Sequence, residues 1–262
     1  MRITLFTSNK NRHNYLINLL SKISDEIFVV QECGTIFPGV VPGHYKTSEI
    51  MEEYFKKVND AQFKLFGNSY VNTSKRNIKI LPMVFGDLNK CSLNYLSDFL
   101  KSDIYIVFGS SYIKGLLIDF LVKQKAINIH MGVSPYYRGT DCNFWALYDD
   151  NPHLVGATIH MLSKGLDNGS ILYHAMSNLK ANPFEYTMST VKSAFHSIAK
   201  RIKDESIFEI KSISQNKDNE IRYSKKIEFN EKVVKDYLNK EINLKSKKFD
   251  NSLLKDPYFL EK

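Results

Sequence analysis

The stretch Ile104-Tyr105-Ile106-Val107-Phe108-Gly109-Ser110-Ser111 gives the clearest indication of architecture. Its first five residues are β-branched or aromatic, which is typical of a strand buried on both faces of a sheet. The glycine and the two serines that follow favour a turn. A helical pattern from about Lys114 to Val122 comes next, and a second apolar strand from Ala126 to His130 follows it. This order predicts two parallel strands joined by a crossover helix.

The same alternation of strand and helix begins at the N-terminus. Arg2–Thr7, Glu26–Gln31 and Lys79–Val84 have strand patterns, and an apolar stripe of helical spacing follows the first of them. We therefore predict a doubly wound α/β fold, with a Rossmann-like, mostly parallel twisted sheet flanked by helices. Ligands of such sheets bind at the carboxyl ends of the strands, which here are the positions of Ser110 and His130.

Further patterns in the first half of the chain predict loops and helices. The segment Glu32–Thr47 is rich in glycine and proline and predicts a long loop, and long loops within compact domains are usually functional. Ser48 is predicted to cap a helix that runs from Glu49 to about Phe66. A second helix is predicted over Ser92–Leu100.

The second half continues the pattern and then changes. Val155–His160 and Ser170–His174 have strand patterns, and Phe184–Ile202 has the periodicity of an amphipathic helix. Towards the C-terminus the sequence becomes rich in Lys, Glu and Asn. We expect a catalytic domain over residues 1–205 and a short, partly helical C-terminal extension over residues 206–262 that packs on it.

The composition is that of an ordinary globular protein, with 43% hydrophobic and 24% charged residues. No apolar run approaches the roughly 20 residues that cross a bilayer, and the first residues lack the pattern of a signal peptide. Cys33, Cys91 and Cys142 are widely spaced and form no CxxC pair, so we expect neither disulfides nor a metal site. Together these features indicate a cytoplasmic protein without a membrane partner.

The formal net charge of +8 favours anionic partners. The C-terminal lysines alternate with acidic residues rather than forming a block, so a solvated surface explains them better than a nucleic-acid site. A helical pattern near the C-terminus includes the apolar residues Tyr237 and Leu238, which would serve either the chain's own core or a homodimer. The sequence leaves both interpretations open.

Three residues of complementary chemistry are expected to meet at the end of the strand Ala126–His130. Asn128 and His130 are two residues apart on that strand, so their side chains project from one face. Asp167 lies within Gly165-Leu166-Asp167-Asn168-Gly169, where the glycines allow a sharp bend. Alone, each residue has a structural explanation as a turn former or a satisfied polar group. Together, an amide, an imidazole and a carboxylate suit transfer of an acyl group to an amine, which needs donors for the oxyanion and a base for the proton.

The segment from Asp103 to His174 resembles the formyltransferases that use 10-formyltetrahydrofolate, a family that includes the glycinamide ribonucleotide, methionyl-tRNA and sugar N-formyltransferases. Besides the three residues above, the resemblance rests on the loop at residues 132–139 and on Trp145, Gly156, Thr158 and His160. It implies that Asn128 and His130 stabilise the tetrahedral intermediate. It also implies that Asp167 tunes His130 and helps to carry the proton.

The resemblance further implies N10-formyltetrahydrofolate as the co-substrate, with no metal. The folate would lie in a cleft between the loop after the central strand and the loop that carries Asp167. The residues implied for its binding are Gly109, Ser110, Ser111, Tyr112, Ile113, Leu162 and Gly165. For Gly109-Ser110-Ser111, a plain turn between a strand and a helix is an equally good explanation.

Several neighbouring residues are expected to support the site rather than contact the substrate. Arg138 is predicted to fix its loop by donating to backbone carbonyls. Thr158 and His160 lie on the adjoining strand and are predicted to buttress Asn128 and Asp167.

The first loop after a strand, Ser8-Asn9-Lys10-Asn11-Arg12-His13, lacks the Gly-rich sequence of the phosphate-binding family members. Its two cations stand at a helix start and would hold an anion there, although an exposed basic turn also explains them. The residues that we expect at the acceptor substrate are Ser8, Asn9, Lys10 and Arg12. The missing glycines argue against glycinamide ribonucleotide.

The modest C-terminal extension makes the chain most similar to the sugar N-formyltransferases, which act on nucleotide-linked amino sugars in surface polysaccharide biosynthesis. The resemblance therefore implies a small-molecule acceptor, a sugar nucleotide, whose negative charge agrees with the basic balance. A hydroxyornithine-type amine, glycinamide ribonucleotide and methionyl-tRNA stay open as other acceptors. A different class also stays open, namely a non-catalytic RNA-binding relative whose lysine-rich tail holds phosphate.

Overall fold

The structure is a computed structural model, and it describes residues 1–35, 48–72, 74–244 and 250–260. Most of the loop predicted over Glu32–Thr47 lies outside these residues, from 36 to 47. Its first two residues do not belong to a loop, because the second strand continues through Glu32 to Cys33. That part of the prediction is wrong. The side chains of Glu32 and Cys33 are both buried there. A charged residue such as Glu32 gives no indication of burial in the sequence.

Within the described residues the main sheet has eight strands, and a two-stranded sheet adds two more. In chain order the strands are β1 (Arg2–Ser8), β2 (Glu26–Cys33), β3 (Ile78–Val84), β4 (Ile104–Phe108), β5 (Ile127–His130), β6 (Tyr137–Gly139), β7 (Ala157–Met161), β8 (Ile171–Met176), β9 (Arg222–Ser224) and β10 (Tyr258–Phe259). The α-helices are α1 (Asn11–Leu20), α2 (Glu49–Phe66), α3 (Gly115–Lys123), α4 (Cys142–Tyr148), α5 (Pro183–Lys203) and α6 (Glu231–Asn239).

The main sheet has the order β10-β8-β7-β5-β4-β1-β2-β3. Strands β3, β2, β1, β4 and β5 are parallel to one another, whereas β7 pairs antiparallel with both β5 and β8. The predicted Rossmann-like, mostly parallel sheet is confirmed. The strand order reverses between β1 and β4, so the carboxyl ends of β1, β4 and β5 form one continuous edge where such folds bind ligands.

Alternating side chains of the buried strands divide the core into two layers. On one face, Ile104, Ile106 and Phe108 of β4 pack in the cluster that contains α1, α2 and α5. On the other face, Tyr105 and Val107 pack in the cluster that contains α3. Since β4 is buried on both faces, its uninterrupted apolar sequence follows from its central position.

Two local predictions are wrong. Ser92–Leu100 does not form an α-helix, and only Ser97–Leu100 forms a turn of 3₁₀-helix. Leu96 is buried while Tyr95 is 63% exposed, so the segment buries too little to hold a helix of nine residues. In the loop 132–139, predicted to be irregular, the last three residues form β6, because it pairs in parallel with β9 from the C-terminal part of the chain.

The C-terminal segment, which the structure describes over residues 206–244 and 250–260, packs closely on the rest of the chain. Tyr237 of α6 is 4% exposed, and its ring centroid lies 4.5 Å from that of Phe144. Tyr237 therefore contributes to the core of its own chain. Arg222 of β9 lies with its guanidinium carbon 4.4 Å above the ring of Trp145 and donates two hydrogen bonds to Asp149, at 2.9 and 2.7 Å. None of the described helices combines the length and the apolar character that a membrane span requires.

Candidate active site

Asn128, His130 and Asp167 meet at the carboxyl end of β5. Nδ1 of His130 lies 3.3 Å from Oδ1 of Asp167, and Nδ2 of Asn128 lies 3.5 Å from the same oxygen. Asn128 and His130 project from one face of β5, as their spacing predicts. Asp167 arrives from the loop between β7 and β8, and its side chain is 9% exposed. The arrangement joins an amide, an imidazole and a carboxylate within hydrogen-bonding reach.

The backbone of the loop that carries Asp167 is tightly constrained. Asp167 itself has a φ of +46°, an uncommon value for a residue with a side chain. A Cβ added to Gly169 would lie 1.6 Å from the carbonyl oxygen of Met161, so only glycine fits against β7 there. The loop therefore lies directly against β7, with the Asp167 carboxylate beside His130.

His160 sits directly beside the three residues and fixes the orientation of the Asn128 amide. Nδ1 of His160 lies 2.8 Å from the carbonyl oxygen of Met161, and a carbonyl can only accept. Nδ1 of neutral His160 therefore carries the proton, and Nε2 accepts from Nδ2 of Asn128 at 3.0 Å. One N–H of the Asn128 amide is used in this way, while the other faces Asp167.

The electrostatics of the site keep His130 neutral and Asp167 ionised near neutral pH. Burial lowers the pKa of the His130 imidazole, and Asp167 opposes this shift only in part. Burial by itself would raise the pKa of the Asp167 carboxyl. However, His130, His160 and Arg138 together outweigh burial and hold that pKa below its usual value. Nε2 of His130 also lies 3.4 Å from the carbonyl oxygen of Tyr137, so an imidazolium would donate to acceptors on both sides.

The loop 132–139 is held by hydrogen bonds of its own Arg138 and of Thr158 on β7. Arg138 donates to the carbonyl oxygens of Leu166 at 3.3 Å and Asp167 at 3.4 Å, in agreement with its predicted role. Thr158 accepts from the amide of Ser134 at 2.8 Å and donates to the carbonyl of Gly132 at 2.6 Å. Thr158 thus supports the loop rather than Asn128 and Asp167, which corrects the prediction, whereas His160 contacts both.

The residues expected at the folate lie on the two loops that flank the site. Ser111 donates through its backbone N–H and its hydroxyl to the carboxylate of Glu32, at 2.6 and 2.8 Å. The hydroxyl of Tyr112 donates to the carbonyl of Lys164 at 2.6 Å and so bridges the two loops. Ile113 is 5% exposed and its side chain packs in the core beside α3, so only its backbone can face a ligand.

The other residues of this expected set differ in exposure. Gly109 has a φ of +66°, and a Cβ there would lie 2.5 Å from the ring of His13, so glycine is required. Ser110 donates to the carbonyl of its neighbour Ser111 at 3.2 Å. Leu162 packs partly against the core, whereas Gly165 is exposed on the Asp167 loop.

The first loop after β1 lies at the same edge of the sheet. The backbone N–H of Ser8 donates to Nδ1 of His13 at 3.2 Å, and the side-chain amide of Asn9 donates to the carbonyl of Thr35. Lys10 is exposed at the start of α1. Arg12 donates to Oε1 of Gln62 at 2.7 Å, so its guanidinium is tied to α2.

Two residues that the sequence does not single out contribute to this edge. Glu32 is fully buried, and Gly86 also donates to it, at 2.8 Å, besides Ser111. For Glu32, the signal available in the sequence was a carboxylate at the end of an apolar strand. Gln215 donates to the carbonyls of Asp167 and Gly169, each at 2.8 Å, and no local pattern indicates it. Among the described residues, no cluster of three or more His, Cys, Asp or Glu is arranged to hold a metal ion.

The fold and the site define an α/β protein of the Rossmann-like class, with an Asn, His and Asp cluster at the carboxyl end of its central strands. Residues 100–207 match the family model described as Formyl transferase. This match identifies that part of the chain, which contains the whole cluster, as a formyl transferase domain.

A curated relative agrees with this assignment. The bifunctional polymyxin resistance protein ArnA of Wigglesworthia glossinidia brevipalpis is 32% identical over 114 residues, which is 43% of this chain and 17% of that protein. The chain therefore corresponds to less than a fifth of the length of this relative.

Solved structures share the fold. A sugar N-formyltransferase from Shewanella superposes with a TM-score of 0.55 at 12% identity, over 87% of this chain and 78% of the other. A 4-N formyltransferase from Francisella tularensis gives 0.52 at 18% identity, over 87% and 77%. An N-formyltransferase from Helicobacter canadensis, in complex with folinic acid and dTDP-3-aminofucose, gives 0.52 at 14% identity, over 93% and 75%. At these identities the similarity concerns the fold.

Proposed function

We propose that this protein transfers the formyl group of N10-formyltetrahydrofolate to the primary amine of a nucleotide-linked amino sugar. One observation carries the proposal. The side chains of Asn128, His130 and His160 all face a single carboxylate oxygen of Asp167, at 3.5, 3.3 and 3.8 Å. This cluster lies within the part of the chain that matches the formyl transferase family.

The reaction has a simple balance of bonds. The amine nitrogen attacks the formyl carbon and forms a C–N bond, while the carbonyl oxygen takes up negative charge. The tetrahedral intermediate then collapses, and the bond between the formyl carbon and N10 of the folate breaks. The proton that the amine loses is finally delivered to N10. The protein must therefore supply donors for the oxyanion and a route for one proton.

The proposed roles follow from the hydrogen bonds of the cluster. His160 takes one N–H of the Asn128 amide, and the second N–H makes only a long contact with Asp167, so it is available to the developing oxyanion. His130 is neutral near neutral pH and accepts the proton of the amine. The resulting imidazolium is stabilised by Asp167 on one side and by the Tyr137 carbonyl on the other.

The co-substrate and the acceptor are proposed from the class of related proteins and from charge. Tetrahydrofolate would lie between the loop 109–113 and the loop 162–168, which Tyr112 joins. The structure from Helicobacter canadensis contains folinic acid and an amino sugar carried on dTDP. An anionic sugar nucleotide agrees with the net charge of +8. We propose that Ser8, Asn9, Lys10 and Arg12 lie on the acceptor side, since they follow β1 at the same edge.

The test is incubation of the protein with N10-formyltetrahydrofolate and a pool of thymidine, uridine and guanosine diphosphate amino sugars, followed by mass spectrometry. A single species that gains one carbonyl unit is expected. Asp167→Asn should lose most of the activity, whereas Asp218→Asn, which changes an exposed carboxylate in the C-terminal segment, should retain it.

Two other results would change the proposal. If the folate binds but no sugar is formylated, the acceptor belongs to another class, and the same assay with small amines and methionyl-tRNA identifies it. If neither folate binding nor transfer is detected, formyl transfer is the wrong reaction. Salt-sensitive RNA binding in that case would support a non-catalytic relative.

A further inference from the structure

Residues 213–224 lie beyond the part of the chain that matches the family model, which ends at residue 207. They nevertheless contact the loop that carries Asp167 at several points. Ile213 forms an antiparallel bridge with Ile171, next to that loop. Glu220 lies 2.8 Å from the guanidinium of Arg138, which itself donates to the loop. The segment therefore packs along the outside of the candidate active site.

We propose that Gln215 is a positioning residue for Asp167, because its amide fixes the backbone of the loop that presents the carboxylate. The inference rests on the proposed function, since it assigns Gln215 a part in the same reaction. Gln215 contacts the backbone of the loop, and any effect on the reaction passes through Asp167.

The geometry assigns both N–H groups of Gln215 to this task. Its Nε2 lies 2.8 Å from the carbonyl oxygen of Asp167 and 2.8 Å from that of Gly169. Because carbonyl oxygens only accept, the atom that faces them must be the NH₂ group. One amide thus joins two carbonyls that are two residues apart, across the turn in which Asp167 adopts its positive φ.

This orientation of the Gln215 amide leaves its oxygen without a hydrogen bond from the part of the chain that the structure describes, which destabilises the fold. Oε1 of Gln215 is buried and has no hydrogen-bond partner among the described residues. An unsatisfied buried acceptor is destabilising, and such atoms in native proteins call for an explanation. We infer that the two bonds to the loop are the reason why this orientation is retained.

A second set of contacts acts on the same carbonyl. Nε of Arg138 lies 3.4 Å from the carbonyl oxygen of Asp167. The other two nitrogens of the guanidinium donate to the Leu166 carbonyl and to the Glu220 carboxylate. The Asp167 carbonyl therefore receives donors from Gln215 and Arg138. Of these two, Gln215 makes the shorter bond. Its replacement should release the loop more than replacement of Glu220, which acts only through Arg138.

The first experiment compares Gln215→Met, which has a similar size and no donor, with Asn216→Ala. Asn216 is exposed and its side chain caps the turn at Lys217–Asn219 by accepting from the backbone N–H of Asp218. Gln215→Met should lower kcat about tenfold, because a misplacement of about 1 Å can cost about a hundredfold and Arg138 still donates to the Asp167 carbonyl. Asn216→Ala should stay within about twofold of the native kcat. Glu220→Gln should give a smaller loss in the same direction as Gln215→Met.

A double-mutant cycle distinguishes positioning from general damage. If Gln215 acts through Asp167, Gln215→Met should change the residual rate of Asp167→Asn by less than about twofold. Equal losses in both backgrounds, or a native kcat in Gln215→Met, would overturn the proposal. The thermal midpoints of the single variants, measured in parallel, exclude unfolding as the cause. Should Gln215→Met not fold, Gln215→Glu, which keeps the shape of the side chain, takes its place.

A readout that needs no substrate separates this proposal from the proposed function. The groups that face His130 are Asp167, His160, Arg138 and the Tyr137 carbonyl. Asp167 and, to a smaller extent, the Tyr137 carbonyl raise the pKa of His130, whereas His160 and Arg138 lower it. In histidine-labelled protein followed by NMR, the titration of His130 should move to lower pH in Gln215→Met, as it should in Asp167→Asn. An unchanged titration contradicts the positioning role. A shifted titration in a protein without formyl transfer would contradict the proposed function alone.

Discussion

The candidate site depends on Asp167, whose carboxylate, together with burial, determines the protonation state of His130. Burial lowers the pKa of His130, while the negative charge of Asp167 raises it in part. Because the folded-state pKa lies below the ordinary value of about 6.5, His130 is neutral above that pH and becomes an imidazolium as the pH falls. A protonated His130 cannot accept the proton of the amine.

This charge balance predicts the pH dependence of the reaction. We expect kcat/KM to fall on the acid side with an apparent pKa below 6.5. Asp167→Asn removes the charge that raises the His130 pKa, so its residual activity should decline at a lower pH than that of the native protein. Rate profiles from about pH 4.5 to 8 measure both. An acid limb that moves to higher pH in Asp167→Asn would contradict this assignment.

His174 predicts how stability depends on pH. It is buried, accepts from the backbone N–H of Lys255 at 2.8 Å and donates to the Ser134 carbonyl at 2.8 Å, so it joins the C-terminal segment to the loop 132–139. Burial lowers its pKa from 6.5 to about 4. Between these values the unfolded chain binds a proton that the folded chain does not, so the free energy of unfolding should fall by about 3 kcal/mol as the pH decreases.

Denaturant titrations at pH 7.5 and 4.5 provide the measurement. His174→Phe cannot titrate, and it should be less stable at pH 7.5 but lose less on acidification than the native protein. His13 and His130 also have lowered pKa values and contribute in the same direction, so part of the pH dependence should persist. Identical slopes for the native and His174→Phe proteins would contradict the role of His174.

At the scale of single elements, helix α2 begins at a side-chain cap. The hydroxyl of Ser48 accepts from the backbone N–H of Met51 at 3.3 Å. Ser48→Ala should therefore lower the free energy of unfolding by about 1 kcal/mol, whereas Ser48→Asp, which can also cap, should lower it less. Urea denaturation distinguishes the two. Equal losses in both variants would indicate that the cap contributes nothing.

Glu32 is the last residue but one of β2 and holds two loops at the candidate folate cleft. Its oxygens accept from Gly86 at 2.8 Å and from Ser111 at 2.6 and 2.8 Å. Glu32→Gln turns an NH₂ group towards one of these donors, so the loop 109–113 should shift. We expect KM for N10-formyltetrahydrofolate to rise about fivefold or more, with kcat within about twofold.

The matched control for this prediction is Glu26→Gln at the other end of β2. Glu26 is partly exposed and pairs with Lys79 and Arg2 on the surface, where such pairs contribute little. Its KM should remain that of the native protein. A rise of KM in Glu26→Gln equal to that in Glu32→Gln would point to the strand as a whole rather than to the loop.

The elements that sequence predicts well are those with local signals. Helix α2 has a cap at Ser48 and an amphipathic stripe, and its predicted bounds agree with Glu49–Phe66 in the structure. The segment Ser92–Leu100 has a helical pattern without a surface to bury it. Strand β6 exists through its pairing with β9, some 80 residues later in the chain, and no local pattern specifies such a partner.

The same division applies to the candidate site. The proximity of Asn128 and His130 follows from the period of a strand, and that of Asp167 follows from the family resemblance. Their roles in catalysis stay a prediction. Glu32 and Gln215 were not predicted, because each acts on backbone groups that only the tertiary structure brings within reach.

At the scale of the whole molecule, the C-terminal segment contributes to the core. Tyr237 packs against Phe144, with Tyr54 and Phe184 each about 6 Å away between ring centroids. Tyr237→Ala should therefore lower the free energy of unfolding by about 3 kcal/mol, and Tyr237→Phe by less than about 1 kcal/mol. Chemical denaturation measures both. A loss below 1 kcal/mol in Tyr237→Ala would mean that α6 is not part of the cooperative core.

This packing also determines how the RNA-binding alternative must be tested. Deletion of residues 206–262 would expose the core and remove β9, so loss of binding would not identify a binding surface. Replacement of the exposed Lys232 and Lys235 of α6 by Gln leaves the core intact. RNA binding that those changes abolish would support the alternative.

Trp145 is the one tryptophan in the sequence, and the guanidinium of Arg222 from β9 lies 4.4 Å above its ring. The chain thus carries an intrinsic optical probe at the junction between its C-terminal segment and α4. Emission from this indole should respond when β9 leaves β6, since the cation and the shielding from water are lost together. Residues 213–224, which include β9, contact the Asp167 loop. Their docking can therefore be followed in real time, by stopped-flow fluorescence and without a label.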